Sequence, residues 1–137
     1  MAGKALEIFT TKYISPKEYS EFIEGIGGVL KDRNKCIGYI KKYNGIVLFN
    51  GYDDVDFFEQ EKNIIEKRYN LSMEYTYGLE ANTSGERESG YLLLYVCKEF
   101  MERWKDSIIC NEYGGFFNCD DIVNETDYES WLYKSEE

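Results

Sequence analysis

Apolar residues recur along this chain with two periods, and the switches between them mark its elements. Leu6, Ile8 and Thr10 alternate with other residues up to Tyr13, which predicts a strand. Ser15-Pro16-Lys17-Glu18 then reads as a helix start. Ser15 can cap, Pro16 fits the first helical position, and Glu18 completes a capping box. Ile14 and Tyr19 are spaced as a hydrophobic staple. Tyr19, Phe22, Ile23 and Ile26 fall on one helical face, which Gly27-Gly28 ends. Cys36–Tyr43 and Ile46–Phe49 flank Asn44-Gly45, predicting a hairpin with a two-residue turn. That register pairs Tyr43 with Ile46, Lys41 with Leu48 and Ile40 with Phe49. Its second strand is apolar on both faces and is expected near the middle of a sheet.

Asp53 or Asp54 is placed to cap a second helix, with Phe57, Phe58, Ile64, Ile65 and Tyr69 on its buried face. Lys67 and Arg68 suit its last turn, and Asn70 a left-handed cap. Met73, Tyr75 and Tyr77 alternate as another strand, and residues 80–90 read as a polar loop. Leu93, Val96, Cys97, Phe100, Met101 and Trp104 then trace one face of a helix, with a strand over Tyr91–Val96 as the rival reading. A second hairpin is predicted from Ser107–Tyr113, a Gly114-Gly115 turn and Phe116–Cys119. It would make Cys110 and Cys119 reduced neighbours. The tail, 120–137, holds seven carboxylates and one lysine beside Tyr128, Trp131, Leu132 and Tyr133, whose aromatics favour docking. The whole predicts one α+β domain over 1–137, a largely antiparallel sheet with about three helices packed on it.

Charge changes the picture. Residues 1–50 carry 5 carboxylates and 8 basic groups, a net of +3; residues 51–137 carry 21 and 8, a net of −13. An acidic, aromatic half suits a surface that meets a basic partner. The chain has no histidine, which removes the commonest acid–base side chain and nucleophiles of the Ser-His or Cys-His kind. Cys36, Cys97, Cys110 and Cys119 form no C-x-x-C pair and read as reduced thiols without a zinc role. No apolar run approaches a membrane span, and no secretory signal opens the chain, so a cytoplasmic location is expected. Net negative charge disfavours direct binding of nucleic acid.

Gly25-Ile26-Gly27-Gly28 follows a helix rather than a strand and reads as a helix stop, not a phosphate loop. Asp53-Asp54-Val55-Asp56, with Glu59 and Glu61 beyond, matches no calcium-loop spacing and reads as a helix N-terminus. Two segments combine acids with aromatics, Tyr52–Glu61 and Asp120–Tyr133. Tyrosine and tryptophan give rigid contact area, and carboxylates steer a basic partner.

The stretch Leu92 to Ile122 runs from an apolar helix ending in Glu102-Arg103-Trp104 through Ile108-Ile109-Cys110. It continues with the Gly114-Gly115 turn, Phe116-Phe117 and Asp120-Asp121-Ile122. It resembles immunity proteins of bacterial polymorphic-toxin and contact-dependent growth-inhibition systems, over about thirty residues and as a pattern of elements. The resemblance implies a small acidic cytoplasmic α+β protein that neutralises one cognate toxin domain, often a nuclease. That makes the chain a binding protein rather than an enzyme, a monomer or small homo-oligomer, with no cofactor, metal or membrane partner. The family shares no functional motif, so the expected toxin-binding residues come from the acidic–aromatic segments: Tyr52, Asp53, Asp54, Asp56, Glu59, Asp120, Asp121, Tyr128, Glu129 and Trp131. Two other classes stay open: a carboxylate-based, metal-dependent enzyme, and an acidic adaptor or nucleic-acid mimic.

Overall fold

The first strand, β1 (Ala2–Thr10), lies inside the sheet rather than at its edge. A computed structural model describes residues 2–32, 36–51 and 58–133. After β1 come α1 (Pro16–Gly25), β2 (Gly28–Asp32), β3 (Ile37–Ile40) and β4 (Gly45–Gly51). Then follow α2 (Glu59–Tyr69), β5 (Tyr75–Thr83), α3 (Glu86–Arg103), β6 (Ile108–Cys110) and β7 (Phe116–Phe117). Two short helices, α4 (Cys119–Val123) and α5 (Tyr128–Leu132), end the described chain. The strands form one seven-stranded sheet in the order β2-β3-β4-β5-β1-β6-β7, antiparallel at each junction. The fold is α+β, as predicted, with two short helices beyond the three long ones.

Local chemistry explains several of these elements. Ser15 Oγ accepts the N–H of Glu18 at 3.1 Å, and Glu18 accepts the N–H of Ser15 at 3.3 Å, closing the capping box. Gly27 takes φ +93°, which ends α1 at little cost for a glycine. Lys67 and Arg68 lie in the last turn of α2, and Asn70 caps it with φ 55°.

Alternation sorts the strands onto two faces. Leu6, Ile8, Val47, Phe49, Tyr77, Leu79 and Ile109 face α1 and α3, where Tyr19, Phe22, Ile23, Leu93, Val96, Cys97 and Phe100 complete the main core. Phe9, Ile108 and Cys110 face the other way and meet Phe58, Ile65 and Met73 in a smaller core under α2. β4 sits between β3 and β5, as its two apolar faces predict. The tail docks on the main core: Tyr128, Trp131 and Leu132 are buried. Asn111 Nδ2 donates to the Trp131 carbonyl at 2.7 Å. Lys4 donates to Glu86 at 2.5 Å and to the Tyr133 hydroxyl, so β1 and the tail share one polar clasp.

Several expectations need correction. The first hairpin exists, but Ile40 pairs with Gly45 and Tyr39 with Ile46. Lys41–Tyr43 form a 3-10 turn and Asn44 the left-handed residue, φ 47°, so the loop has four residues instead of two. Gly45 is needed for space: a Cβ there would meet Leu92 Cδ2 at 2.5 Å and Thr83 Cγ2 at 2.6 Å. The second hairpin also shifts, with Cys110 opposite Phe116 and Ile109 opposite Phe117. Asn111 causes this, because its Oδ1 accepts the N–H groups of Tyr113 and Gly115 at 2.9 and 2.8 Å and builds a loop over 111–115. Cys119 therefore opens α4 instead of facing Cys110, and none of the four cysteines is in a disulfide.

Residues 80–90 are not a loop. Ala81 and Thr83 are buried in β5, and α3 begins at Glu86. Residues 28–32 form an edge strand that their sequence does not announce. The N-cap of α2 is Phe58, with no side-chain cap; Asp53, Asp54 and Phe57 lie outside the described residues. Ile64 is 43% exposed although it was placed on the buried face, because Ile65 alone in that turn points into the core. Tyr75, expected to share the buried side of Tyr77, is exposed at the strand end and pairs with Tyr13 at 5.6 Å.

Candidate functional site: an acidic cleft beside α2

The predicted binding residues divide by place. Tyr52, Asp53, Asp54 and Asp56 lie outside the described residues. Glu59 is exposed at the first position of α2, where a carboxylate complements the helix dipole. Asp120, Asp121 and Glu129 are exposed on α4 and α5. Asp121 is also structural, since its Oδ2 accepts the Asn118 N–H at 2.9 Å while Asn118 Oδ1 accepts the Asp121 N–H. Tyr128 and Trp131 are not on the surface. They are 6% and 1% exposed, and Trp131 packs edge-on against Phe117 at 5.9 Å. Their rings hold the tail, which removes them as contact residues. Asp121 lies near enough to Tyr69, at the end of α2, to help raise its phenol pKa, although burial is the larger cause. Glu59 stands at the opposite end of that helix, about 15 Å away by the rise of eleven residues.

Between these ends runs a cleft of about 750 Å³. One wall is a stripe of α2, Glu61, Ile64 and Arg68, spaced so that one helical face looks into it. The floor is the sheet, with Glu7 and Phe9 on β1 and Cys110 on β6. Glu7 is placed there by pairing, because β1 and β6 set it opposite Cys110. The β6–β7 loop closes the far side with Glu112, and β7 adds Phe116. Arg68 lies 5.5 Å from the centre of the Phe116 ring, a cation–π contact.

The charge lining this cleft is mostly negative, three carboxylates against the one guanidinium of Arg68. Burial pushes the Glu7 carboxyl above its ordinary value, and the carboxylates of Glu112 and Glu61 push it further by repulsion. A hydrogen bond from backbone offsets this in part. Cys110 is pushed up to about 12 by burial, then by Glu7 and Glu61, so its thiol stays protonated and is a poor nucleophile. What the cleft offers is an apolar wall and a concentration of negative charge. A cation with an aliphatic or planar body fits both, while an anion fits neither. Among the described residues, no group of three or more Cys, Asp or Glu is placed to hold a metal ion.

Glu7, Ile64 and Glu112 were missed by sequence reasoning. Glu7 stands between Leu6 and Ile8 and reads as an ordinary outward strand position. Only the β1–β6 pairing, across a gap no local pattern bridges, brings it to Cys110 and the β6–β7 loop. Compared with known protein families, curated proteins and solved structures, the chain matches none of them. Among the described residues, no helix is long and apolar enough to cross a membrane.

Proposed function

We propose that this chain is a cytoplasmic immunity protein. It binds a basic toxin domain, a nuclease in the first instance, and neutralises it by covering its active site; it is not itself an enzyme. The observation that carries the reading is the acidic, apolar-walled cleft beside α2, lined by Glu7 and Phe9 of β1 and otherwise by residues of the half with a net charge of −13. A nuclease that grips phosphates must present cationic groups. An acidic protein meets those same groups with charge-assisted pairs. Glu59 and Asp120 flank the cleft's helix as exposed acids able to steer such a partner. The resemblance of Leu92–Ile122 to immunity proteins agrees with this in size, charge and order of elements. Direct mimicry of a nucleic acid is less well supported, because Lys31 on β2 and Lys41 and Lys42 after β3 put positive charge along that edge of the sheet and interrupt a continuous acidic surface.

The test is genetic and biochemical. The neighbouring reading frame is expressed with and without this chain. The expected outcome is that its product, or the C-terminal domain of its product, stops growth alone and not in the presence of the chain. The two should then co-purify as a complex that salt weakens. A chain that gives no protection and captures no basic protein is not an immunity protein. Stabilisation by a divalent metal together with turnover of a small substrate would favour the carboxylate-based enzyme instead.

A further inference from the structure

We infer that the cleft beside α2 is a socket for a single arginine side chain presented by a loop of the protein partner, with Glu7 at its floor as the counter-ion. This deepens the binding reading above and rests on it. Three features of the cleft converge on that occupant. Its volume, about 750 Å³, falls within the roughly 300–1,000 Å³ of clefts that engulf a ligand. It therefore has room for one long side chain and part of the loop that carries it. Much of its lining is apolar: Ile64 is 43% exposed, Phe116 is half-buried, and the buried Phe9 and Phe58 border the space. A strongly hydrated ammonium suits such walls poorly, whereas a guanidinium is weakly hydrated and stacks on aromatic faces. Arg68 already shows this mode from the protein's own side, over Phe116.

The third feature is the position of the charges. Glu7, Glu61 and Glu112 come from β1, α2 and the β6–β7 loop, so three separate elements bring carboxylates to one space. Among the described residues, burial and these two like charges disfavour the ionised Glu7, and a backbone hydrogen bond favours it. Folding therefore leaves an acid on the floor of a hydrophobic cleft in an unfavourable state, which a cation from outside would relieve. Perturbed carboxyls in clefts are where such external partners act. The carboxylates do not stand alone here, since the cavity and its aromatic walls exist independently of them.

The experiment uses the full chain, labelled with nitrogen-15, and two blocked tripeptides. One is acetyl-Gly-Arg-Gly-amide. The other carries citrulline, the same shape without the charge, in place of arginine. The arginine peptide should shift the amides of Phe9, Cys110, Glu112 and Gly114 and saturate with a Kd of about 1–10 mM, as one charge-assisted contact allows. Glu7→Gln and, separately, Glu112→Gln should each weaken it at least about threefold. Glu21→Gln, exposed on α1 over the opposite face of the sheet, should leave it unchanged. Glu112 is exposed on a loop, so its variant keeps the test valid if Glu7→Gln perturbs the sheet. Equal saturation by the citrulline peptide, shifts mapping elsewhere, or no response up to about 50 mM peptide would each overturn the socket. Saturation of the cleft without any captured toxin would leave the socket standing and end the immunity reading. A captured toxin whose binding ignores both variants would do the reverse.

Discussion

On one face of the sheet, Phe49 lies stacked between Tyr19 and Tyr77, at 4.0 and 4.7 Å, with Phe22, Phe100 and Trp104 continuing the aromatic packing. On the other, Phe9 meets Phe58 edge-on at 5.9 Å, and the space beside them opens into a cleft that holds three carboxylates. Both faces are read from the same alternation along the same strands. The first is closed by two long helices and the docked tail, and the second, among the described residues, by α2. Closing a face fixes the fold, and the face left partly open is where charge can be placed at all. The cleft beside α2 is therefore a place where acids meet apolar surface, and it lies opposite the main core.

The comparison is broken most sharply by opening the closed face. Trp131→Ala removes a side chain 1% exposed and should cost about 3–5 kcal/mol in urea unfolding. If the midpoint stays put, the tail is a surface segment and Trp131 is free to bind after all. Gly90→Ala is next. A Cβ there would sit 2.3 Å from the Tyr128 ring, which is itself buried. The net loss should be about 1–2 kcal/mol, since overpacking outweighs the gain in helix propensity. A neutral result would mean that α5 adjusts and the closed face has slack.

The open face should respond with the opposite sign. The folded Glu7 holds its proton to higher pH than the unfolded chain, whose ordinary value is 4.5. Its contribution to stability is therefore full below that value and lost as pH rises through the folded one. Glu7→Gln should then be more stable than the parent at pH 7, by roughly 0.5 kcal/mol once screening by solvent is allowed for. The difference should vanish near pH 3, where both side chains are neutral. A variant less stable at pH 7 than at pH 3, relative to its parent, would contradict the mostly negative lining of the cleft. The smallest effect is expected at Ile64. Ile64→Ser should change stability by less than about 0.5 kcal/mol while weakening the arginine peptide, because its side chain lines the cleft and not the core.

How much of this was legible in the sequence depends on how local each cause is. The Ser15–Glu18 capping box, the Asn70 cap and the α3 face each rest on contacts within a few residues, and all three were readable. The hairpins were readable in existence but not in register. Register depended on whether Asn44 or Asn111 would fold the loop through its own backbone or side chain. β2 was missed because only a β3 partner gives it structure, and β5 ran further than expected because Ala81 and Thr83 are small inward residues in a polar stretch. Among the expected binding residues, Trp131 and Tyr128 show why composition misleads: an aromatic beside acids reads as interface, yet the ring can be core while the acids face water. The cleft itself could not be seen, because Glu7, Glu61 and Glu112 are neighbours only after three elements pack.

The placement of β1 also sets a schedule for synthesis. It is made before the strands it pairs with, yet Glu7 needs Gly78 on one side and Cys110 on the other before its backbone is paired. Lys4 waits longer still, for Tyr133. Such distant partners place the chain among slow folders, on the scale of milliseconds to seconds. During translation the emerging N-terminal strand has no site to occupy and must stay extended or be sheltered. Under the proposed function, a nascent chain would give no protection until the residues through Tyr133 are made. The antidote would have to be stockpiled ahead of the poison rather than made in answer to it.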